Sequence, residues 1–566
     1  RPRRRARARG KARKMGRRAV AWLRNDLRLH DNQIFHFDGL RDAAELLVVY
    51  CVDPRHFQPS RWGGHPRTAG HRARFLAETL EDLDASLRRL GSRLLVLVGR
   101  PEEAVPALLR SGDILAYQLE DTSEEQAVEV ALRSALNAAV EVRAHWGQNL
   151  LHRDDLGFDP TETIPLPFGK YFYGTCSEVQ PRPELPTPRA KDLPPPPGAE
   201  ALAAEIQRHG LREAPATAAS LVSFMRPDGD AGRRTGFNPP GRRPPVAAGC
   251  AVEAGGSPAA DFEWRGGETA ALEQLNAYMA LSGLGNYHRT RNQLQGPTSS
   301  SRLSPWMANG SLSARTIYWR AKAFEKAHKT KETDPRFDHV HKFVFQLSWR
   351  DYFRLYCARF GPRVFFPGGP ARRARPWRRD EEAERRWKEG RTGVPLVDGL
   401  MRELAATGFM ANRGRYVVAS YFVFFLGLDW RVGADWFESL LLDYDVCSNW
   451  GEWASMANVA VDLGDKYPLG LKGRGPTSGR LPGARGGGGD PWAKGAGLGD
   501  AVFDPWEQAM QYDRSEAYVR KWVPELRSLP PGCLHDAARL DDALRSASVE
   551  YPAPLATEPI RLGRAP

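Results

Sequence analysis

The chain has 566 residues and a mass of 63.1 kDa, enough for two or three domains with large cores. Its net charge of +13 invites a nucleic-acid partner, but residues 1–18 hold eleven Lys and Arg and no acid, so the rest is nearly neutral and any DNA site must be a local patch. No apolar run is long enough to span a membrane as a helix, the nearest being 416–428, and the six scattered cysteines form no C-x-x-C pair, which argues against a disulfide framework or zinc site.

The basic arm, 1–17, admits three readings: an Arg-rich, acid-free transit segment for chloroplast or mitochondrion, a nuclear or nucleic-acid-binding run, or a stretch upstream of a start at Met15. Nucleus and cytosol stay open as compartments. From 18 to 176 apolar runs at 19–23, 46–52, 94–98, 114–117 and 140–142 alternate with helical patterns at 71–90, 102–109 and 123–139. Such alternation predicts an α/β domain with a parallel, Rossmann-like sheet covered on both faces. No G-x-G-x-x-G follows the first run, so a dinucleotide fingerprint is absent. Residues 177–265 are rich in Pro, Gly, Ala and Arg and read as a long, partly disordered linker with one short helix near 199–209.

Helical periodicity then dominates 266–530, with helices expected at 268–282, 313–328, 339–360, 395–407, 412–425, 434–442, 506–512 and 516–526. This is an all-α C-terminal domain. It is interrupted by a Gly-rich insertion at 465–500, and the polar tail 531–566 is expected to be weakly ordered.

Four blocks carry chemistry. Tyr287-His288-Arg289-Thr290-Arg291 precedes the hydroxyl-rich Ser299-Ser300-Ser301-Arg302-Leu303-Ser304, a loop before a helix that suits a diphosphate. Gln346, Trp349 and Arg350 stand at i, i+3 and i+4, an amide, a flat ring and a guanidinium on one helix face. Asn412-Arg413-Gly414-Arg415 and Leu428-Asp429-Trp430 form the third block. The fourth, Asp443-Tyr444-Asp445-Val446-Cys447-Ser448-Asn449-Trp450-Gly451-Glu452-Trp453, packs carboxylates, an amide and aromatics into what reads as a helix-to-helix loop. Asp443 and Asp445 suit ligand hydrogen bonding better than acid–base work.

In this order, and after the opening Trp22-Leu23-Arg24-Asn25-Asp26-Leu27-Arg28-Leu29-His30-Asp31-Asn32, these blocks resemble the photolyase/cryptochrome family. The segments 391–398 and 518–526 match it too. The resemblance implies FAD folded inside the helical domain. Tyr287 and Ser300, Ser301, Arg302, Leu303 and Ser304 would hold its diphosphate side, Arg350 and Asn412 would face it, Arg415 would pair with Asp443, and Asp443, Tyr444 and Asp445 would line the ribityl and ring edge. Asn449 aligns with the residue beside flavin N5, where a neutral amide suits a reduced flavin without a like-charge penalty. Trp453, Trp430 and Trp377 align with the electron relay. Arg291, Gln346, Trp349, Asn412 and Arg413 align with DNA contacts.

Gln346 stands where pyrimidine-dimer photolyases carry Glu, and the cryptochrome DASH branch carries Gln. That branch is similar to photolyases acting on single-stranded or looped DNA, where no duplex must be unstacked. Glu120 matches an acid that contacts a folate antenna, 5,10-methenyltetrahydrofolate. The segment 168–175 departs from family text on the antenna side, and Ser455 replaces an aromatic beside the substrate, weakening stacking by about 1–3 kcal/mol. The implied function is a monomeric blue-light FAD protein, not membrane-bound, that repairs cyclobutane pyrimidine dimers in damaged single-stranded DNA. The alternative is a photoreceptor with the same photochemistry and little repair. A dark redox flavoprotein would need a nicotinamide site that the sequence does not offer.

Overall fold

The computed structural model describes residues 16–214, 217–225, 262–296, 298–328, 339–461 and 502–560; the arm 1–15, the segment 226–261 with Cys250, the insertion 465–500 and the last residues 561–566 lie outside the described residues. The apolar runs become strands. β1 (Arg18–Leu23), β2 (Glu45–Val52), β3 (Leu94–Val98), β4 (Ile114–Gln118) and β5 (Glu141–His145) pair in parallel in the order β5-β4-β1-β2-β3, and β6 (Arg212–Glu213) adds an antiparallel edge. β1 is buried along its whole length, as a central parallel strand must be. Helix Gly70–Arg89 covers one face through Ala73, Leu80, Leu83 and Leu87. Leu108 and Leu132 help to cover the other. The helix expected at 102–109 breaks into Pro101–Ala104 and a 3-10 turn, Pro106–Leu108, because Pro106 lacks the amide that would continue it.

The chain leaves β1 for β2 on one side and returns to β4 on the other. The crevice outside the carboxyl ends of β1 and β4 is therefore the switch point where open α/β sheets bind ligands. Here it receives helix His339–Phe360 of the second domain, which brings arginines to the end of β4.

Two stretches differ from expectation. Helix Ala199–Arg208 forms as expected, but 177–214 is built into the α/β body and is not a free linker. Leu193, Leu202 and Ile206 join its cores. Backbone N–H groups of Asp31 and Leu46 donate to the Leu185 and Pro195 carbonyls at 3.1 and 2.9 Å. A proline run lacks donors but keeps its acceptors, so it can lie along a sheet edge. The tail is also ordered over its described part. Helix Ala537–Ala547 is capped by Asp536, and beyond it the Leu555 and Ile560 amides donate to the Thr392 and Phe424 carbonyls at 2.9 and 2.7 Å. These anchors are single hydrogen bonds to distant backbone, invisible as periodicity.

The helical domain has its own core, which also takes in Trp146, Leu150, Leu151, Phe168 and Tyr171 from the end of the first segment. The Leu150 and Leu151 amides donate to Asp351, each at 2.9 Å. The helix expected over 412–425 is Asn412–Ser420 followed by a π turn, Tyr421–Phe425. The block read as a loop is largely helix Val446–Met456, whose N-cap Asp445 accepts from the Ser448 amide at 2.8 Å.

Candidate functional site

Helix His339–Phe360 carries Gln346, Trp349 and Arg350 on one face, and Arg354 one turn further on. Arg350 donates to the Gln148 and Met307 carbonyls at 2.8 and 3.2 Å, while its buried Nε has no hydrogen-bond partner in the protein. Burial lowers its pKa against the pull of Asp445. Arg354 sits among three carboxylates: Glu120 at 3.0 Å, Asp445 at 3.3 Å, and Asp121 at 2.7 Å in an ion pair not aligned as a hydrogen bond. Burial disfavours charge on Asp445, yet the guanidiniums of Arg350 and Arg354 and the hydrogen bonds from Ser448 hold its pKa below the ordinary value. Sequence spacing alone did not single out Arg354; its signal was a charge among Tyr352, Phe353, Leu355 and Tyr356.

Two guanidiniums face three carboxylates, which favours the protonated form of one of them. Burial pushes Asp121 up to about 7 despite Arg354, helped by Glu120 and Asp445. The folded state then binds more protons than the unfolded chain between the ordinary Asp value and about 7, so this group's contribution to stability falls as pH rises through that window and is flat above it. Asp121→Asn is expected to remove the slope, up to about 1.4 kcal/mol per pH unit. Urea midpoints compared at about pH 5 and about pH 8 check this; equal slopes in both proteins would reject it.

Opposite this cluster, Arg415 pairs with both oxygens of Asp443 at 3.0 and 2.8 Å, as expected, and Ser304 Oγ donates to the same carboxylate at 2.7 Å. Ser304 thus ties the hydroxyl-rich loop to the fourth block. In that loop Ser300 and Arg302 line a cleft with Phe409 and Ala411, the Ser301 carbonyl accepts from Gln274 at 2.9 Å, and Leu303 is buried. Arg302, at φ +54°, donates to the Gly296 carbonyl. Tyr287 is buried against Phe343 and bonded to Arg291. Asn412 is exposed and bonds Tyr416 one turn along its helix. Tyr444 points elsewhere: its hydroxyl accepts from Trp450 and its ring lies under Arg72 of the α/β domain. Arg350 with its unpartnered Nε, the carboxylates 443 and 445 and the Ser304 hydroxyl fit the polar parts of FAD.

Trp453 is buried edge-on against Phe422 and Phe437. Gly433 makes room for it, since a Cβ there would lie 2.2 Å from the indole. Asn449, one turn earlier, donates to the Ala434 carbonyl at 3.0 Å, which fixes its amide. Trp430 and the partly exposed Trp377 donate to the same carbonyl, Pro367, at 3.2 and 2.9 Å. Trp450, unassigned by sequence, lies between Trp430 and Trp62, with ring centroids 5.7 and 5.0 Å away.

Comparison with known proteins settles the family. Residues 19–190 match the family model described as DNA photolyase, and 343–559 match the FAD binding domain of DNA photolyase. The chain is 35% identical over 550 residues to Cryptochrome DASH of Danio rerio, covering 95% of this chain and 90% of the relative. The chain belongs to the cryptochrome DASH branch of the photolyase/cryptochrome family. It is 32% identical over 563 residues to Cryptochrome DASH, chloroplastic/mitochondrial, of Ostreococcus tauri, covering 96% of this chain and 91% of that one. A crystal structure of the Synechocystis cryptochrome superposes with a TM-score of 0.73 at 32% identity, covering 96% and 97% of the two chains. FAD is the cofactor of this cryptochrome DASH domain. Among the described residues no helix is long and apolar enough to cross a membrane.

The remaining expected residues of this cryptochrome DASH divide into two groups. At the start of helix His339–Phe360, cations crowd together: the charges dominating at His288 are Lys342, His339, Arg291 and Arg289, and all lower its pKa after burial. Arg291 likewise lowers Lys342 after burial. Arg413 reaches Asn292 at 3.2 Å and lies over Phe503 and Tyr512. Gln346 lies between this cluster and Arg350. Trp349 is partly exposed, but one face is taken by Phe168, stacked at 3.7 Å, so 168–175 buttresses this helix. Glu120 is buried where the two domains meet. It accepts from Asn25, Gln148 and Arg354 within the switch-point crevice and is 6% exposed. Those bonds also make it part of the interdomain charge cluster.

Proposed function

We propose that this cryptochrome DASH protein repairs cyclobutane pyrimidine dimers in single-stranded or looped DNA, as a monomer, in blue light. The observation that carries the reading is one helix, His339–Phe360, which joins the cationic cluster at its outer end to Gln346 and Trp349 and then to Arg350 and Arg354 at the flavin site. FAD bound there supplies light absorption and the electron. The cations 289, 291 and 342 attract the phosphate backbone. Gln346 donates hydrogen bonds to a flipped base, and the indole of Trp349, on the same helix, offers it an aromatic contact. Trp377, Trp430 and Trp453 bring in the electron that keeps the cofactor reduced, their easily oxidised indoles being held by packing and by the Pro367 carbonyl. The arginine-rich first residues and the wording of the Ostreococcus tauri relative support an organellar location.

Turnover of dimer-containing oligonucleotides under blue light tests this. Single strands are expected to be repaired at least about tenfold faster than duplex, because flipping from a duplex costs a few kcal/mol. Trp377→Phe is expected to slow photoreduction about tenfold, a barrier change of about 1.4 kcal/mol. No repair of either substrate by a protein that still photoreduces would favour the photoreceptor reading, and equal rates on both would remove the single-strand preference.

A further inference from the structure

The helix that carries Asn449 and Trp453 also carries Glu452, which has no place in the site so far. It stands at i+3 from Asn449, on the same side of the helix. Its carboxyl accepts from the Tyr416 hydroxyl at 3.1 Å. Tyr416 in turn bonds the exposed Asn412 and stacks on Phe503 at 5.4 Å. A chain of polar groups thus runs from the surface, through Asn412 and Tyr416, to a carboxyl beside the position assigned to flavin N5.

What surrounds Glu452 decides its state. The groups that face it come from helix Asn412–Ser420: the Tyr416 phenol and, further off, Arg415. The phenol is neutral, and both oxygens of Asp443 already hold Arg415. Glu452 is a half-buried carboxyl with no cation of its own. Glu120 and Asp445, by contrast, share Arg354. Burial raises Glu452 to about 7, while the Tyr416 bond and Arg415 pull the other way. A group poised near the working pH makes an efficient proton donor. The other two polar side chains expected to face the substrate and flavin, Gln346 and Asn449, are amides that cannot transfer a proton as an acid does.

We infer that Glu452, held by Tyr416 one turn from Asn449, is the proton donor of the flavin site during photoreduction. The inference rests on the FAD site described above. One electron passes from Trp453 to the excited flavin, and one proton passes from the Glu452 carboxyl to the flavin ring. The carboxylate left behind is stabilised by the Tyr416 hydroxyl. The electron lost by the tryptophans is restored at Trp377 by a thiol in solution, which is oxidised. Glu452 regains its proton from solvent.

The test is anaerobic photoreduction of the FAD-loaded protein with dithiothreitol, followed by visible absorption from about pH 5.5 to about pH 8.5, because protonated and unprotonated one-electron-reduced flavin differ in colour. In the unmodified protein the protonated form is expected below about 7 and to give way above it. Glu452→Gln should keep FAD but slow proton uptake by about a hundredfold or more, and Glu452→Asp should restore part of it. Tyr416→Phe removes a bond that favours the charged carboxylate, so the midpoint should move up by about one pH unit. A Glu452→Gln protein that photoreduces with the same protonated fraction and midpoint would overturn the inference, and so would a Tyr416→Phe midpoint that stays put or moves down. A protein that binds no FAD would instead remove the flavin site itself, which retained flavin after desalting distinguishes.

Discussion

Arg354→Met should destabilise the protein by about 3–5 kcal/mol and weaken its hold on FAD. Methionine fills the space but leaves Glu120 and Asp445 without the guanidinium that compensates their burial. One carboxylate faces the α/β domain, and the other caps the helix bearing Asn449 and Trp453. The defect should therefore appear in both halves at once. Denaturant unfolding and the flavin retained after desalting measure the two effects. Arg354→Lys should fall between, because an ammonium is a point charge and cannot reach several carboxylates as the planar fork does. A methionine variant within about 1 kcal/mol of the unmodified protein would show that the cluster is solvated in solution.

Asp398→Ala should cost about 3 kcal/mol or more. The Asp398 carboxylate is fully buried and accepts from the Thr392 amide and hydroxyl, the Gly393 amide and the Tyr551 hydroxyl. Alanine leaves those donors without an acceptor. Tyr551→Phe removes one bond and should cost about 1–3 kcal/mol. Since Tyr551 anchors the tail, both variants should open the chain beyond 548 to protease before the domain unfolds. Unchanged cleavage in both would mean that the remaining bonds, from Leu555, Ala556 and Ile560, hold the tail alone.

Much of this was legible in the sequence, for particular reasons. The strands could be read because a sheet covered on both faces needs unbroken apolar runs, and 46–52 and 94–98 are such runs. The Arg415–Asp443 pair followed from resemblance and is present in the geometry. The ordered tail and the packed stretch 177–214 escaped because hydrogen bonds to remote backbone hold them, with few apolar anchors. Helix Val446–Met456 read as a loop because its polar residues face a site and not solvent. Arg354 and Glu452 escaped for a related reason: a buried charge is defined by what surrounds it, and those partners come from other helices or the other domain. Glu120 shows the complement: resemblance pointed to a ligand, and only the structure reveals that the same carboxylate also meets Arg354 across the domains.

The filled switch-point crevice also has a consequence in time. Glu120 and Arg354 are 234 residues apart in the chain. At about 5–20 residues per second, a ribosome makes Glu120 roughly 10–50 s before the arginine that completes its charge cluster exists. Throughout that interval the nascent first domain presents Glu120 and Asp121 in an open notch, with no internal cation to meet them. The charge cluster is completed only when the second half docks, although the two halves are synthesised in succession.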